Sequence, residues 1–288
     1  VCKAQVRSGQ TEVKQQEEAL TQEDLAEGYI LTCCRSILGD VELAVEDLGP
    51  LADIEVKTLP CRIDSLVEFS SDVIEVTLRL PPNSPFDFVA GQHISVIGEN
   101  GIRRSYSLAN FPREDGKLVL HIRKVPQGVM SEYWFNDAKV NDLLRLEGPL
   151  GTFSLRDVPS SRVIFLATGT GIAPVKAMLE ELNTNPSSVM NKPISVYWGG
   201  RVQQDMYWSA EFEHLDCEFT PVLSRAEPTW QGRTGYVQSA LFDDGVELSS
   251  CTVYACGSDD MIHSAREELV KAGLPMKNFY SDAFVSSD

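Results

Sequence analysis

The stretch Gly169-Thr170-Gly171-Ile172-Ala173-Pro174 decides the architecture of the C-terminal half of the chain. It follows the apolar run 163–167, which is typical of a buried parallel strand, and it opens a helical segment that extends to residue 182. The glycines permit a tight turn and a close backbone approach, while Pro174 suits a first helical turn, where no N–H is needed. Free N–H groups at such a helix start suit a pyrophosphate. Pro174 replaces the third glycine of the common dinucleotide fingerprint, so a structural turn is an equally good interpretation of this stretch alone.

The segments on both sides of this turn differ in their pattern. After residue 161, strands predicted at 194–198 and 251–255 alternate with helical segments, one of them ended by Gly273, which indicates a parallel α/β sheet. Before it, from about residue 54 to 155, short apolar runs alternate with turn signals, which is typical of an antiparallel barrel. One helix is predicted inside this barrel, near residues 129–136.

Composition and charge exclude several classes of function. The net charge is −17, and the first fifty residues carry four basic side chains against ten acidic ones. Such a surface repels phosphates, so nucleic acid is excluded as a partner. Insertion into a membrane is also excluded, because no run approaches the roughly 18 consecutive apolar residues that it requires. Seven scattered cysteines argue against a disulfide framework and predict a reducing compartment, the cytoplasm.

Two further stretches carry residue types with chemical uses. In Arg104-Ser105-Tyr106-Ser107, on a barrel strand, an arginine could bind phosphate and a tyrosine could stack on a flat heterocycle. A cross-strand surface ladder explains the same pattern. In Cys256-Gly257-Ser258, a cysteine follows a parallel strand, where α/β sheets bind ligands, although most free cysteines are simply buried.

Taken in order, these stretches resemble the ferredoxin–NADP reductase superfamily over about residues 54–288. Arg104–Ser107 matches the R-x-Y-S flavin motif, Gly169–Pro174 the G-x-G-x-x-P nucleotide motif, and Tyr254–Gly257 the C-G motif beside the nicotinamide. Gly148–Phe153 matches the segment that closes the barrel. Because the four motifs occur in order, they support one another.

The first fifty residues resemble the end of a plant-type [2Fe–2S] ferredoxin domain. Val1-Cys2-Lys3-Ala4 resembles the stretch at the third cluster cysteine, and Gly28–Cys33 resembles the stretch that ends at the fourth. The resemblance implies Cys2 and Cys33 as metal ligands, with Cys34 as the alternative to Cys33. Two more ligands are expected upstream of Val1, so we interpret the sequence as part of a longer chain.

The predicted fold is therefore an α+β multidomain protein with three parts. Residues 1–50 form the C-terminal part of a ferredoxin-like (β-grasp) domain. Residues 51–157 form a six-stranded antiparallel FAD-binding β-barrel, and residues 158–288 form an α/β parallel-sheet NAD(P)-binding domain.

The resemblance also implies roles for individual residues. Tyr106 stacks on the isoalloxazine ring and Ser107 bonds near its reactive nitrogen, while Cys256 contacts the nicotinamide and Phe284 covers the second face of the flavin. The remaining FAD-binding positions that the resemblance implies are Arg104, Leu108, His121, Ile122, Arg123, Gly128, Val129, Met130 and Ser131. Those for the nicotinamide nucleotide are Gly169, Thr170, Gly171, Ile172, Pro174, Arg201 and Gly257.

The implied function is electron transfer from NAD(P)H through FAD and a [2Fe–2S] cluster to a partner protein. The pattern resembles reductases of oxygenase systems and of 3,6-dideoxyhexose synthesis, and the implied donor is NADH rather than NADPH. After the second strand, Arg201 would favour a 2′-phosphate and Asp205 a 2′-hydroxyl. Two alternatives stay open: an NAD(P)H:flavin reductase without a working cluster, and a non-enzymatic nucleotide-binding regulatory module.

Overall fold

The structure, a computed structural model, describes residues 3–17, 20, 22–45, 48–98, 101–157, 159–185 and 192–284. The chain divides into two compact units, Val1–Ala52 and Asp53–Asp288. Each unit is described by itself below.

The first unit contains two small antiparallel sheets. A three-stranded sheet has the order β3-β1-β5, and a two-stranded sheet pairs β2 with β4. A partly buried ion pair stabilises the region between them, because the Arg35 guanidinium binds both carboxylate oxygens of Glu17, and Glu17 Oε1 also accepts the N–H of Leu31. The elements of this unit are β1 (Lys3–Ser8), β2 (Thr11–Val13), α1 (Gln22–Ala26), β3 (Tyr29–Leu31), β4 (Arg35–Ile37) and β5 (Glu42–Ala44).

The second unit begins with a six-stranded antiparallel sheet of order β10-β7-β6-β11-β8-β9. Its elements are β6 (Lys57–Ser70), β7 (Val73–Arg79), β8 (His93–Ile97), β9 (Arg103–Ser107), β10 (Leu118–Arg123), α2 (Val129–Glu132) and β11 (Leu143–Leu150). A bridge between Leu108 and Leu120 joins the two edges, and Ala109 N donates to Val119 O at 2.8 Å. The sheet therefore closes into a barrel around a buried apolar core.

The rest of the second unit is a six-stranded parallel sheet of order β15-β14-β13-β12-β16-β17. Its elements are β12 (Arg162–Thr168), α3 (Ile172–Thr184), β13 (Ile194–Gly200), β14 (Cys217–Leu223), β15 (Arg233–Thr234), α4 (Val237–Asp243), β16 (Cys251–Ser258), α5 (Asp259–Lys271) and β17 (Phe279–Phe284). The chain runs outward from β12 to β15 and then returns to place β16 on the other side of β12. The strand order thus reverses between β12 and β16, and such a switch point is where open α/β sheets bind ligands.

Glycines allow the loops at this switch point to touch. A Cβ on Gly171 would lie 2.2 Å from the carbonyl oxygen of Cys256, and a Cβ on Gly257 would lie 2.1 Å from Thr168 Oγ1. Both distances are far below any van der Waals contact, so side chains at these two positions would push the ends of β12 and β16 apart.

The predicted antiparallel barrel and parallel sheet are confirmed. The predicted helix 129–136 begins as α2 and continues as the π-helical turn Tyr133–Asp137. The β-grasp interpretation of residues 1–50 stays a prediction. Among the described residues, no helix has the length and apolar character needed to cross a membrane.

We predict that Gly171→Ala lowers the melting temperature markedly, because its methyl group would overlap backbone atoms of Cys256 that cannot rotate away. Overpacking of this kind costs about 1–3 kcal/mol. Gly116→Ala is the control, since a Cβ there meets no atom within 4 Å, and only its left-handed φ is strained, at a cost of about 1 kcal/mol. Thermal unfolding of both variants and of the unmodified protein measures the effect, and a Gly171→Ala variant that melts at the temperature of the unmodified protein would show that the two loops do not touch.

Candidate functional site

A cleft of about 800 Å³ lies at the carboxyl edge of the parallel sheet. The loops after β12, β13 and β16 line it, with α4 and α5 on one side and Phe284 at the end of β17. Its size falls in the range of small-molecule and cofactor sites. The cleft therefore occupies the position that the switch point predicts for a ligand.

The glycine turn forms the floor of this cleft and is held on both sides. Trp198 Nε1 donates to the Gly169 carbonyl at 2.9 Å, and Thr168 Oγ1 accepts the N–H of Ser258 at 3.1 Å. The short 3-10 turn Gly169–Gly171 leads directly into helix α3, which begins at Ile172, and the N–H groups at the start of a helix have few partners within it. The site thus offers backbone donors at the positive end of a helix.

Cys256 lies beneath the cleft and is not accessible in this structure. Its side chain is fully buried in the core under the sheet, against which Phe284 also packs. Burial, followed by the neighbouring charge of Asp282, raises the pKa of the Cys256 thiol well above its usual value. A nicotinamide could reach this sulfur only after a covering side chain had moved, so the predicted contact stays a prediction.

Asp282 stands opposite Cys256 in the pairing of β16 with β17. Burial raises its pKa to about 6. The sequence analysis missed this residue, because an aspartate two positions before a terminal aromatic side chain gives no sign that a strand will bury it.

The residues predicted to hold the flavin ring meet at the end of β9. Trp134 Nε1 donates to the Tyr106 hydroxyl at 3.0 Å, and the two rings meet edge to face. Burial raises the pKa of Tyr106 to about 12, so this phenol stays neutral. Ser107 is buried, whereas Arg104 is half-buried and donates to the carbonyl of its neighbour Arg103.

The turn before α2 supplies a second set of donors. The N–H groups of Val129, Met130 and Ser131 begin the helix and have no intrahelical partner. The Ser131 hydroxyl accepts the N–H of Val125 at 2.8 Å, which fixes the loop that leads into the helix. Val129 is exposed, while Met130 packs into the barrel core.

Three other residues predicted to bind FAD point inward. Leu108 and Ile122 belong to the barrel core and are at most 1% exposed. His121 meets the stacked rings of Phe69 and Tyr207 edge to face, with Nδ1 3.3 Å from the Tyr207 hydroxyl. Burial lowers the pKa of His121. For these three residues, only the backbone could contact a ligand.

Asp205 and Arg201, the two residues that bear on the choice between NADH and NADPH, differ in their exposure to the cleft. The buried carboxylate of Asp205 binds Arg123 at 2.8 Å and accepts the N–H groups of Arg201 and Val202. Burial raises its pKa, but these donors outweigh that effect and hold the pKa below the ordinary value. Asp205 is therefore turned away from the cleft, whereas the Arg201 side chain lines it and is 54% exposed.

The cleft also contains residues that the sequence analysis did not single out. Tyr236 is 66% exposed on the cleft wall, where an uncovered ring could stack on a flat base. Ser224 and Glu268 line the same space. Tyr236 and Ser224 follow the carboxyl ends of strands, and that position could have marked them as candidates.

In the first unit, the two adjacent cysteines differ in exposure. Cys33 is exposed, whereas Cys34 is buried and its sulfur lies 3.8 Å from the Gln16 carbonyl. The described part of the chain contains no cluster of three or more potential metal ligands. Cys2, the other predicted ligand, lies outside the described residues.

Comparison with known proteins matches the two halves of the second unit to separate family models. Residues 60–155 match an oxidoreductase FAD-binding domain and residues 165–267 an oxidoreductase NAD-binding domain. The chain belongs to the ferredoxin–NADP reductase family and is an NAD(P)H-dependent FAD oxidoreductase.

Individual relatives are similar to this chain over most of its length. The CDP-6-deoxy-L-threo-D-glycero-4-hexulose-3-dehydrase reductase of Yersinia pestis is 42% identical over 99% of this chain and 86% of its own length. The reductase component of the naphthalene 1,2-dioxygenase system of Pseudomonas putida is 31% identical over 89% of this chain and 78% of its own. Among solved structures, an Amycolatopsis cytochrome P450 reductase has a TM-score of 0.72 at 28% identity, covering 98% of this chain and 86% of its own.

The donors in this chain fit both cofactors of the family. FAD needs cations and N–H groups for its phosphates, and the Arg104 side chain and the first turn of α2 are groups of this kind. Tyr106 and Ser107 are adjacent on β9. Among the described residues, no group forms a hydrogen bond with the Ser107 hydroxyl. The cleft above the glycine turn fits a dinucleotide by its volume and its N–H donors.

We predict that Asp282→Asn stabilises the protein more at about pH 8 than at about pH 5. The folded pKa of Asp282 is raised to about 6, so ionising it opposes folding above that pH, and the cost fades as pH falls towards the ordinary aspartate value. Asparagine is neutral throughout and removes the cost. Melting temperatures at both pH values measure the effect, with the exposed Asp53→Asn as control. The same gain at both pH values would contradict the assignment.

Proposed function

We propose that this protein is a reductase that passes electrons from NAD(P)H through FAD and a [2Fe–2S] cluster to a partner protein in the cytoplasm. The observation that carries the proposal is that the candidate flavin site and the candidate nucleotide site lie in the same compact unit. The flavin-type residues of β9 and α2 and the nucleotide cleft of the parallel sheet both lie within Asp53–Asp288.

The chain's own residues orient and protect the reacting groups. Tyr106, held by Trp134, presents a neutral aromatic ring, and Ser107 offers a hydroxyl next to it. Phe284 lines the cleft and packs over the core that contains Cys256, so it keeps water from this end until a nicotinamide displaces it. Bound FAD supplies the conversion between a two-electron donor and a one-electron acceptor.

We assign the cluster step to the first unit. Cys33 is exposed and Cys34 is buried, which favours Cys33 as the ligand from this part of the chain. The six described cysteines are free, which agrees with a reducing compartment. We further propose the boundaries 1–50, 51–157 and 158–288 for the three domains.

The relatives suggest the class of acceptor. The Yersinia pestis protein is named as the reductase of a hexulose-3-dehydrase, and it shares more identity with this chain than the dioxygenase reductase does. We therefore propose a dehydrase of 3,6-dideoxyhexose synthesis as the partner, with an oxygenase component as the second candidate. The acidic first fifty residues suit a basic docking face on that partner.

Two other functions fit less well. A free-flavin reductase would need only the second unit and would leave Cys33 without a role. A regulatory module would need only one nucleotide site, whereas this chain has the features of both a flavin site and a nicotinamide-nucleotide site.

We predict that Cys33→Ser in the full-length protein removes bound iron and sulfide and abolishes NADH-dependent reduction of cytochrome c. Serine replaces the thiolate ligand, while the flavin residues are untouched, so ferricyanide reduction should persist. Cys34→Ser is the matched control and should keep both activities. The presence of iron and sulfide in the unmodified protein would rule out the flavin-reductase alternative. The absence of iron and sulfide would establish that alternative instead.

NADH is the donor that we propose, with Arg201 as the residue that sets how well NADPH is accepted. Because the Asp205 carboxylate is bound by Arg123 and by two backbone N–H groups, the charged group that the loop after β13 presents to the cleft is the exposed Arg201 guanidinium, which lies 3.7 Å from both Asp72 and Asp205. We predict that Arg201→Ala lowers kcat/KM for NADPH about tenfold, the effect of one charged hydrogen bond, and for NADH much less. Steady-state kinetics with Arg145→Ala, an exposed barrel arginine, as control tests this. Equal losses with both donors would contradict it.

A further inference from the structure

His121 is buried where the barrel meets the parallel sheet. It lies on β10, and its side chain is 0% exposed. Its Nδ1 atom lies 3.3 Å from the hydroxyl of Tyr207, which belongs to the loop after β13. Its Nε2 atom lies 3.5 Å from Oε2 of Glu75, the residue opposite on β7, and forms no hydrogen bond with any described residue. One imidazole thus joins the two halves of the second unit.

Tyr207 extends this contact to the glycine turn. Its ring stacks on that of Phe69 in β6, with the centroids 5.3 Å apart, and meets the ring of Trp198 edge to face at 5.1 Å. Trp198 is fully buried, and its Nε1 atom donates to the carbonyl of Gly169, the first residue of the turn, at 2.9 Å. A continuous series of contacts therefore runs from His121 in the barrel to the floor of the nucleotide cleft.

The contact between Tyr207 and His121 requires a neutral imidazole. Burial raises the pKa of Tyr207, so its hydroxyl keeps its proton. This hydroxyl forms no other hydrogen bond among the described residues, so its O–H donates to Nδ1 when His121 is neutral. In the imidazolium both ring nitrogens are donors, and Nδ1 can no longer accept that proton. Protonation would also bury a positive charge, which costs free energy, so acid weakens the contact.

The charged groups around His121 act in both directions. Burial lowers the pKa of His121 below its ordinary value, and the ammonium of Lys176 on α3 lowers it as well. Glu75 and Glu180, on β7 and α3, oppose this effect but do not outweigh it. The pKa of Glu75 is in turn lowered by His121 and, to a smaller extent, by Lys176 and Arg113. Because folding disfavours the imidazolium, the contact is intact above the ordinary histidine pKa and is lost as the pH falls through the lowered one.

We propose that the His121–Tyr207 contact is a proton-sensitive joint that positions the glycine turn, so that the cleft binds a nicotinamide nucleotide more weakly when His121 is protonated. Both are positioning residues, since neither side chain lines the cleft. The inference rests on the proposed function, because it takes the cleft as the nucleotide site. Acidification of the compartment then slows electron transfer at the step in which the nucleotide binds.

The test is the binding of ADP-ribose to the FAD-loaded, full-length protein, measured by calorimetry at about pH 8 and about pH 5.5, on either side of the histidine range. ADP-ribose has the pyrophosphate but no nicotinamide, so the readout does not depend on turnover, and its charge is the same at both pH values. The unmodified protein should bind it about fivefold more weakly at the lower pH, the effect of one hydrogen bond. Melting temperatures at both pH values show that each protein is folded.

A variant without the titrating group isolates the joint. His121→Asn keeps an amide near the position of Nδ1 but cannot be protonated, so it should lose most of the difference between the two pH values. His214→Asn, at a histidine whose side chain is 65% exposed, is the matched control and should keep the difference. Asp282, whose pKa is about 6, titrates in the same range on β17. Its contribution is the same in the unmodified protein and in His121→Asn, so it cancels in their comparison.

Two further measurements separate a positioning role from a general effect of acid. Tyr207→Phe removes the hydroxyl and should weaken binding of ADP-ribose at about pH 8, the condition in which the joint is intact. Because binding and protonation are linked, saturating ADP-ribose should lower the midpoint of the His121 titration. Nuclear magnetic resonance of the imidazole follows this titration, and His121→Asn assigns the signal.

Three results would overturn the proposal. They are equal Kd values at both pH values in the unmodified protein, an undiminished difference in His121→Asn, and a His121 midpoint that ADP-ribose does not move. An unchanged Kd for Tyr207→Phe would remove Tyr207 from the joint and overturn it as well. If the unmodified protein binds no ADP-ribose at either pH, the proposed function fails instead.

Discussion

The close contact between the turn after β12 and the end of β16 is the constraint on which the rest of the structure depends. Gly171 and Gly257 let two backbones meet at distances that no side chain would permit. The start of α3 and the end of β16, which carries Cys256, are thereby brought to the same edge of the sheet. Without this contact, the N–H donors of the helix and the wall formed by Ser258 would not border one cleft.

The second unit joins the barrel to the sheet through polar contacts with defined partners. Arg123 spans the two halves, and Lys176 of α3 donates to the Ala109 carbonyl at 2.9 Å while pairing with Glu180. Charged contacts that are partly buried, as these are, are costly to leave unpaired, so they favour one relative placement of the barrel and the sheet over others. That placement puts the end of β10 beside the glycine turn and gives the nucleotide cleft a wall from the barrel.

The sequence patterns predicted the frame well because they report local periodicity. The apolar run 163–167 and the glycine turn after it place β12 and α3 correctly, and the alternating runs 73–78 and 118–122 correspond to barrel strands. What could not be predicted depends on tertiary contacts. Nothing local shows that Asp205 turns inward to a barrel arginine, or that burial raises the pKa of Asp282 to about 6.

The central claim is that one unit binds FAD and reduces it with a nicotinamide nucleotide. The most direct measurement is an anaerobic titration of the purified, FAD-loaded protein with NADH, followed by the yellow absorbance band of oxidised flavin. The account predicts that the band disappears in proportion to the NADH added, and that Tyr106→Ala loses flavin or bleaches slowly. A protein that takes up no FAD, or whose flavin band NADH leaves unchanged, would contradict it.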